Sequence, residues 1–317
     1  MKNNTNEIYD GIYDILVIGA GPSGMTAAIY GARAMAKIAM IEKGAPGGKV
    51  TKTSEIENYP GFESIQGYDL AIKMFQQTQK FKIPYLADCV MNITKIDNLF
   101  KLKLFSKKEV LAKAVIVATG TVERKLCVPG ELELEGRGVS YCAVCDGSLY
   151  KRKGVVVVGG GYAAFEESLY LARFVNKVTL IHRRDKFRVD NNIVAKVKEN
   201  PKINLIVDTV ITEIKDVSEK RVTTVVIKNV KTAKIEQLTV SAIFPYIGAI
   251  PTSGFAAKLG VLDPEGYFII NDKCLTALPG LYAAGDVTNT TLRQIATAVS
   301  DGAKAAQFAL EYLDSCN

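Results

Sequence analysis

Apolar residues gather along this chain in short unbroken runs, and the main runs end in glycines. Ile12-Tyr13-Asp14-Ile15-Leu16-Val17-Ile18 is the first such run. Lack of alternation predicts a parallel strand covered on both faces. Gly19-Ala20-Gly21-Pro22-Ser23-Gly24 follows, then a helical stretch over 25–36, then a strand over Ile38-Ala39-Met40-Ile41 ending at Glu42. The same order recurs as strand Gly154–Val158, turn Gly159-Gly160-Gly161-Tyr162-Ala163-Ala164, helix 165–174 and strand Lys177–Ile181. Two such units predict an α/β fold with two Rossmann-like, three-layer domains. The C-terminal part repeats the first theme: Gly280-Leu281-Tyr282-Ala283-Ala284-Gly285-Asp286 reads as a strand entering a glycine-acid turn, and 292–313 as a long Ala-rich helix. The second domain is therefore expected as an insertion in the first: 121–248 within 1–120 and 249–317. The crossings are expected near Thr119-Gly120-Thr121 and Ile247-Gly248-Ala249, and 208–240 as hairpin strands.

The 317 residues suffice for two cores, and 48% hydrophobic with 23% charged residues is ordinary for a globular protein. No apolar stretch reaches bilayer length. The polar start, Met1-Lys2-Asn3-Asn4-Thr5-Asn6-Glu7, lacks the apolar centre of a secretory signal, so a cytoplasmic location without membrane attachment is expected. The net charge is +7, but its basic clusters are short, and no basic stripe or module points to nucleic acid. Of the six cysteines only Cys142 and Cys145 are close, and there is one histidine. A C-x-x-C pair in a cytosolic chain points to redox or metal chemistry; with no second pair, redox is the better reading and no metal site is expected.

Gly19-x-Gly21-x-x-Gly24 lets a backbone approach a pyrophosphate, and the helix that follows offers N–H groups to the anion. Glu42 ends the next strand, where a carboxylate accepts ribose hydroxyls. The second loop has the looser form Gly159-x-Gly161-x-x-Ala164. Glu42 lies 23 residues after Gly19, and the same offset from Gly159 falls on His182, followed by Arg183 and Arg184. A basic cluster at that place, with Arg188 beyond it, suits a 2′-phosphate, so NADPH is expected there rather than NADH. Between the loops, Cys142 and Cys145 can cycle between disulfide and dithiol, and Asp146 can move the proton.

Together these motifs resemble the low-molecular-weight thioredoxin reductases over nearly the whole chain. The resemblance rests on Gly47-Gly48, Glu57-Asn58-Tyr59-Pro60-Gly61, Ala118-Thr119-Gly120, Cys142-Ala143-Val144-Cys145-Asp146-Gly147, His182 to Arg188, Ala284-Gly285-Asp286-Val287 and Arg293-Gln294-x-x-Thr297-Ala298. It implies FAD, NADPH, a homodimer and thioredoxin as protein substrate. FAD would meet Gly19, Gly21, Pro22, Ser23, Gly24, Glu42, Lys43, Gly48, Asn58, Thr119, Gly120, Gly285, Asp286, Arg293 and Gln294. NADPH would meet Gly159, Gly161, Tyr162, Ala163, Ala164, His182, Arg183, Arg184 and Arg188. The resemblance also implies that Cys145 faces the flavin, that Cys142 exchanges with thioredoxin, that Asp146 is the acid/base, and that the domains rotate about the glycine crossings.

Five positions depart from that pattern. Lys49 stands where Gln is usual, Val144 where Thr is usual, and Ser300 where a small residue precedes Asp301-Gly302. Tyr162-Ala163 stands where an acidic or amide residue and a Ser or Thr are usual, which removes polar groups from the nicotinamide-side helix. On that account a disulfide reductase fed by reduced ferredoxin or flavodoxin stays open; a dithiol oxidase is the other alternative, though such relatives tend to lack the basic 2′-phosphate cluster that this chain keeps. A non-enzymatic redox sensor is disfavoured by the intact Cys-x-x-Cys-Asp.

Overall fold

The computed structural model describes residues 11–53 and 55–316, so the polar start read above lies outside the described residues. Along the chain come β1 (Ile12–Ile18), α1 (Pro22–Arg33), β2 (Ile38–Glu42), β3 (Glu55–Ile56), β4 (Ile65–Gln66), α2 (Gly67–Lys80), β5 (Tyr85–Ala87), β6 (Val90–Ile96), β7 (Leu99–Leu104), β8 (Glu109–Val117) and β9 (Thr121–Glu123). Next are α3 (Ala143–Asp146), β10 (Gly154–Val158), α4 (Tyr162–Leu171), β11 (Lys177–Ile181), α5 (Asn191–Glu199), β12 (Ile203–Ile206), β13 (Thr209–Ile214), β14 (Thr224–Asn229), β15 (Ile235–Thr239) and β16 (Ala242–Pro245). β17 (Ala249–Pro251), β18 (Leu281–Ala283) and α6 (Ile295–Ser315) complete it. Two compact units result: Met1–Lys52, Tyr59–Val122 and Ile250–Asn317 form one, Thr53–Asn58 and Glu123–Ala249 the other.

The first unit holds a sheet of order β5-β2-β1-β8-β7-β6, with β18 also paired to β8. β1 is parallel to β2 and β8, and both of its faces are buried. Ile15 and Val17 pack on Ala27 and Ala28 of α1 and Ala305 and Ala306 of α6. Leu16 and Ile18 join the opposite core with Ala256, Val261, Phe268 and Val287. That reverse face is thus covered by the segment between β17 and β18 and by the turn that follows β18. Alanines and glycines let α1 and α6 touch: a Cβ on Gly302 would lie 2.1 Å from the Ser23 carbonyl oxygen.

In the second unit β12-β11-β10-β16 are all parallel. Alternation of the valine run divides two cores. Val155 and Val157 pack with Phe165 and Leu171 of α4 and Val197 of α5. Val156 and Val158 pack with Ile211, Val225 and Ile227 of the antiparallel sheet β13-β14-β15. Each such valine contributes about 1.5–3 kcal/mol by burial. The layers are helices, parallel sheet and antiparallel sheet.

Both dinucleotide-type helices start three residues earlier than hydrophobic periodicity predicts, at Pro22 and Tyr162 rather than at 25 and 165. Gly21 and Gly161 already serve as N-caps in extended backbone, so the glycine turn is tighter than the sequence suggests. Pro22 fits because its ring fixes φ for a first helical position. Among the described residues no helix is long and apolar enough to cross a membrane.

Candidate functional site

In the first unit the glycines mark contacts that no side chain could share. A Cβ on Gly19 would lie 2.4 Å from the Ala118 carbonyl oxygen, and one on Gly24 1.9 Å from that of Gly19. Gly21 differs: a Cβ there would meet nothing within 4 Å, so this backbone borders open space. The first turn of α1 carries no acidic residue and no side-chain cap. Ser23 Oγ is buried there without a hydrogen-bond partner. An uncapped helix start, an open glycine face and an orphaned hydroxyl together fit a diphosphate.

Glu42, at the end of β2, is held at both oxygens: Ala20 N–H and Gly44 N–H each donate to it at 2.9 Å. Each oxygen keeps a lone pair for a ribose hydroxyl. The Gly47-Gly48 turn is tied to the first glycine loop by the Gly47 N–H bond to Ala20 O at 2.7 Å. A Cβ on Gly48 would come 3.5 Å from Gly21 Cα. Lys49 Nζ donates to Thr121 Oγ1 at 2.6 Å and pairs with Asp286 at 3.6 Å. Gly285 lies against Ser23, and its N–H donates to Asp301 at 3.2 Å. Arg293 donates to the carbonyls of Asp286 (3.5 Å) and Thr288 (3.4 Å) and lies over the Tyr267 ring. Thr119 Oγ1 donates to Thr252 O at 2.7 Å beside Gly120, which has φ of 63°. Gln294 caps α6 in a reciprocal box with Thr297. Lys43 is exposed, and Asn58 falls in the segment grouped with the second unit.

The second glycine loop repeats the scheme with different neighbours. A Cβ on Gly159 would lie 2.4 Å from Tyr246 O and 2.7 Å from the Ala164 methyl, so Gly159 leaves no room for a side chain. Gly161, like Gly21, borders open space, and α4 has no acidic residue in its first turn. The His182 ring packs on Gly160, Nε2 meets Lys186 O at 3.2 Å, and burial, with Arg183, Arg184 and Arg188 around it, lowers its pKa. The positive charge of the cluster is carried by the three exposed arginines. Arg188 is fixed to the loop through its N–H bond to Gly160 O at 2.8 Å.

Cys142 and Cys145 form a disulfide across the first turn of α3, with Cα atoms 5.3 Å apart. Cys145 N–H donates to Cys142 Sγ at 3.1 Å. Asp146, 9% exposed, accepts from Ser140 Oγ at 2.7 Å. Tyr246 accepts the Ala143 N–H at 2.6 Å, and burial, then Glu167 and Asp146, push its phenol well above the ordinary range. The pair thus sits beside a buried carboxyl with a fixed hydroxyl partner.

Tyr246 and Thr252 belong to no motif and reach the site only through the sheet and the crossing strands, whereas Thr121 lies in the expected crossing and Ser140 two residues before Cys142.

Residues 13–302 match the family described as pyridine nucleotide-disulphide oxidoreductase. The thioredoxin reductase of Bacillus subtilis (strain 168) is 44% identical over 304 residues, covering 96% of this chain and 95% of that protein. The crystal structure of thioredoxin reductase from Streptococcus pyogenes MGAS5005 is 43% identical with a TM-score of 0.91, covering 96% and 99% of the two chains. Thioredoxin reductase from Giardia duodenalis is 36% identical with a TM-score of 0.90, covering 96% and 100%.

Proposed function

The chain belongs to the pyridine nucleotide-disulphide oxidoreductase family, and from that premise we propose that it is an NADPH-dependent thioredoxin reductase carrying FAD. The observation that carries the reading is the Cys142–Cys145 disulfide with its buried Asp146, in the same unit as an arginine-flanked glycine loop. Bound in the first unit, FAD would supply a two-electron carrier between NADPH and the disulfide. In the first unit, Gly21, Ser23 and the start of α1 receive the diphosphate. Glu42 receives a ribose, and Asp286, Arg293 and the Gly48 turn surround the rest. In the second, Gly161 and the start of α4 receive the diphosphate of NADPH, and Arg183, Arg184 and Arg188 its 2′-phosphate.

The chain's own chemistry is at sulfur. Two electrons and two protons open the Cys142–Cys145 bond to a dithiol. One thiolate attacks a sulfur of oxidised thioredoxin, the other resolves the mixed disulfide, and reduced thioredoxin leaves. Asp146 holds the exchanging proton, its carboxylate kept in place by Ser140 Oγ. A homodimer in the cytoplasm is the assembly and location that accompany this reading.

The test is anaerobic mixing with NADPH and with NADH, following the visible flavin absorbance, then thioredoxin reduction. Rapid bleaching by NADPH over NADH, with thioredoxin reduction lost in D146N, is expected. No bleaching by either would overturn the NADPH assignment and favour a protein electron donor or dithiol oxidation, the readings that Tyr162-Ala163 keeps in view.

A further inference from the structure

Glu131 is 1% exposed, and its carboxylate gathers three donors. Leu126 N–H donates to Oε1 and Cys127 N–H to Oε2, each at 2.8 Å, and Tyr141 Oη donates to Oε1 at 2.7 Å. A carboxylate leaves water cheaply only when hydrogen bonds replace its hydration, so each of these donors matters. Tyr141 is held from a second side, with Lys125 Nζ 4.0 Å from its ring centroid and paired with Glu135 at 2.9 Å. Burial, with the Glu131 carboxylate beside it, pushes the Tyr141 phenol well above its ordinary range, so it stays a donor near neutral pH. The neighbours of Tyr141 belong to the sulfur site. Residues 138–140 run beside β16: Ile243 N–H donates to Gly138 O at 2.8 Å, and Ser140 N–H to Ile243 O at 3.0 Å. Successive side chains of extended backbone take opposite sides, and here Ser140 turns to Asp146 while Tyr141 turns to Glu131. Ser140 Oγ also accepts Cys142 N–H at 3.2 Å.

We propose that Glu131 and Tyr141 are positioning residues for the sulfur chemistry: they anchor 140–142 so that Ser140 Oγ stays on Asp146 while the Cys142–Cys145 bond opens and closes. The proposal rests on the reading of that pair as the dithiol that reduces thioredoxin. β16 fixes Ser140 through its backbone, and Glu131 fixes the next residue through its side chain. Opening the disulfide removes the covalent tie between Cys142 and Cys145. Cys142 then depends on its bonds with Ser140, on the Asp146 N–H bond to its carbonyl, and on the anchored residue before it. A donor on a carboxylate favours the charged form, so an Asp146 released from Ser140 takes up its proton at higher pH. Tyr150, Tyr246 and the two cysteines are the groups that face Asp146, and Glu57 reaches Ser148 Oγ on the turn that follows. Burial, then Asp146, raises the Tyr150 phenol to about 12, and Tyr246 is also pushed up, so neither phenol titrates near neutral pH.

The test compares wild type, Tyr141→Phe, Glu131→Gln, Ser140→Ala and the S140A/Y141F double variant, with flavin content and circular dichroism as checks of folding. Thioredoxin reduction at saturating NADPH is followed across the neutral pH range, and the limb that S140A moves is the one assigned to Asp146. Y141F and E131Q are expected to lower kcat about three- to tenfold, the range of one modest hydrogen bond, and to leave KM for thioredoxin and flavin bleaching by NADPH unchanged. Both should move the Asp146 limb upward by about half to one pH unit. The double variant should be no slower than S140A, because both changes release the same bond. Amide exchange over 138–147 in the oxidised protein should be faster in Y141F and E131Q, a readout that needs neither thioredoxin nor turnover. A Y141F with wild-type kcat and limb overturns the anchor. So does a slower Y141F whose limb is unmoved and whose effect adds in full to that of S140A, since Tyr141 then acts apart from Asp146. If Y141F does not fold, E131Q carries the same expectations. If wild type reduces no thioredoxin, the reading of the function fails, and unchanged amide exchange in the variants would separately overturn the anchor.

Discussion

Two side chains carry consequences that their neighbours decide. Lys49 stands among the candidate flavin-binding groups, bonded to Thr121 and paired with Asp286, with side-chain exposures of 37% and 22%. A partly exposed pair of this kind is worth up to about 1 kcal/mol. Lys49→Gln keeps a hydrogen-bond donor and removes the charge that offsets Asp286 beside an anionic cofactor. FAD affinity should fall by up to about fivefold, read by flavin fluorescence on titrating the apoprotein; an unchanged affinity would detach Lys49 from the cofactor. Glu167, on α4, has a buried Oε2 without a partner, and burial, with Glu166 beside it, raises its carboxyl from 4.5 to about 7. The folded chain then holds a proton that the unfolded chain has released. Stability is therefore lost as pH rises from about 4.5 to about 7, and the full cost applies above that. Glu167→Gln removes the titration. Its stability relative to wild type should rise between pH 5 and pH 8 by on the order of 1–3 kcal/mol in urea unfolding. Parallel pH profiles would show that Glu167 is ionised throughout.

Between elements, close backbone approach matters more than side-chain chemistry. α6 crosses α1 at Gly302, where a Cβ would lie 2.1 Å from Ser23 O and 2.9 Å from Ser23 C. Alanine improves helix propensity by about 1 kcal/mol, but rigid backbone cannot yield to it as a flexible side chain would. Gly302→Ala should therefore be destabilising by about 1–3 kcal/mol, with loss of bound FAD because Ser23 is displaced. Thermal unfolding and the flavin-to-protein absorbance ratio would check this, and a more stable, fully loaded variant would refute it. The elements themselves were largely legible. β1, β10 and β11 have the bounds their apolar runs predict, because strands buried on both faces leave no alternation to misread. Helix starts were misplaced where a glycine N-cap, and not an apolar residue, sets the boundary. At the sites, glycine spacing showed the two loops, and charge at a fixed offset distinguished them. Ser140 with Asp146, and Tyr246 with Ala143, were hidden because hydrogen bonds between a loop and a short helix, or across 103 residues, leave no periodic trace.

For the whole molecule, the insertion has a direct physical test. The chain leaves the first unit at Val122 and returns at Ile250, and Arg124 N–H donates to Gly248 O at 2.9 Å. The ends of the inserted stretch thus meet, as they do in domains that tolerate transplantation. Each side of the cut keeps its own apolar cores: Val155 to Val158 lie in two clusters made wholly of inserted residues, and Ile15 to Ile18 in two made wholly of the rest. Residues 123–249 expressed alone should fold cooperatively, form the Cys142–Cys145 disulfide and bind NADP+ but no FAD. A chain joining Val122 to Ile250 through a short glycine linker should bind FAD and neither NADP+ nor thioredoxin. Thr53–Asn58 travels with this second piece, although it groups with the inserted unit. Denaturant unfolding with tyrosine and flavin fluorescence reads both outcomes. If either piece is unfolded while the full chain is stable, the units depend on each other for folding. If the inserted piece took up FAD, the assignment of the two glycine loops would be reversed.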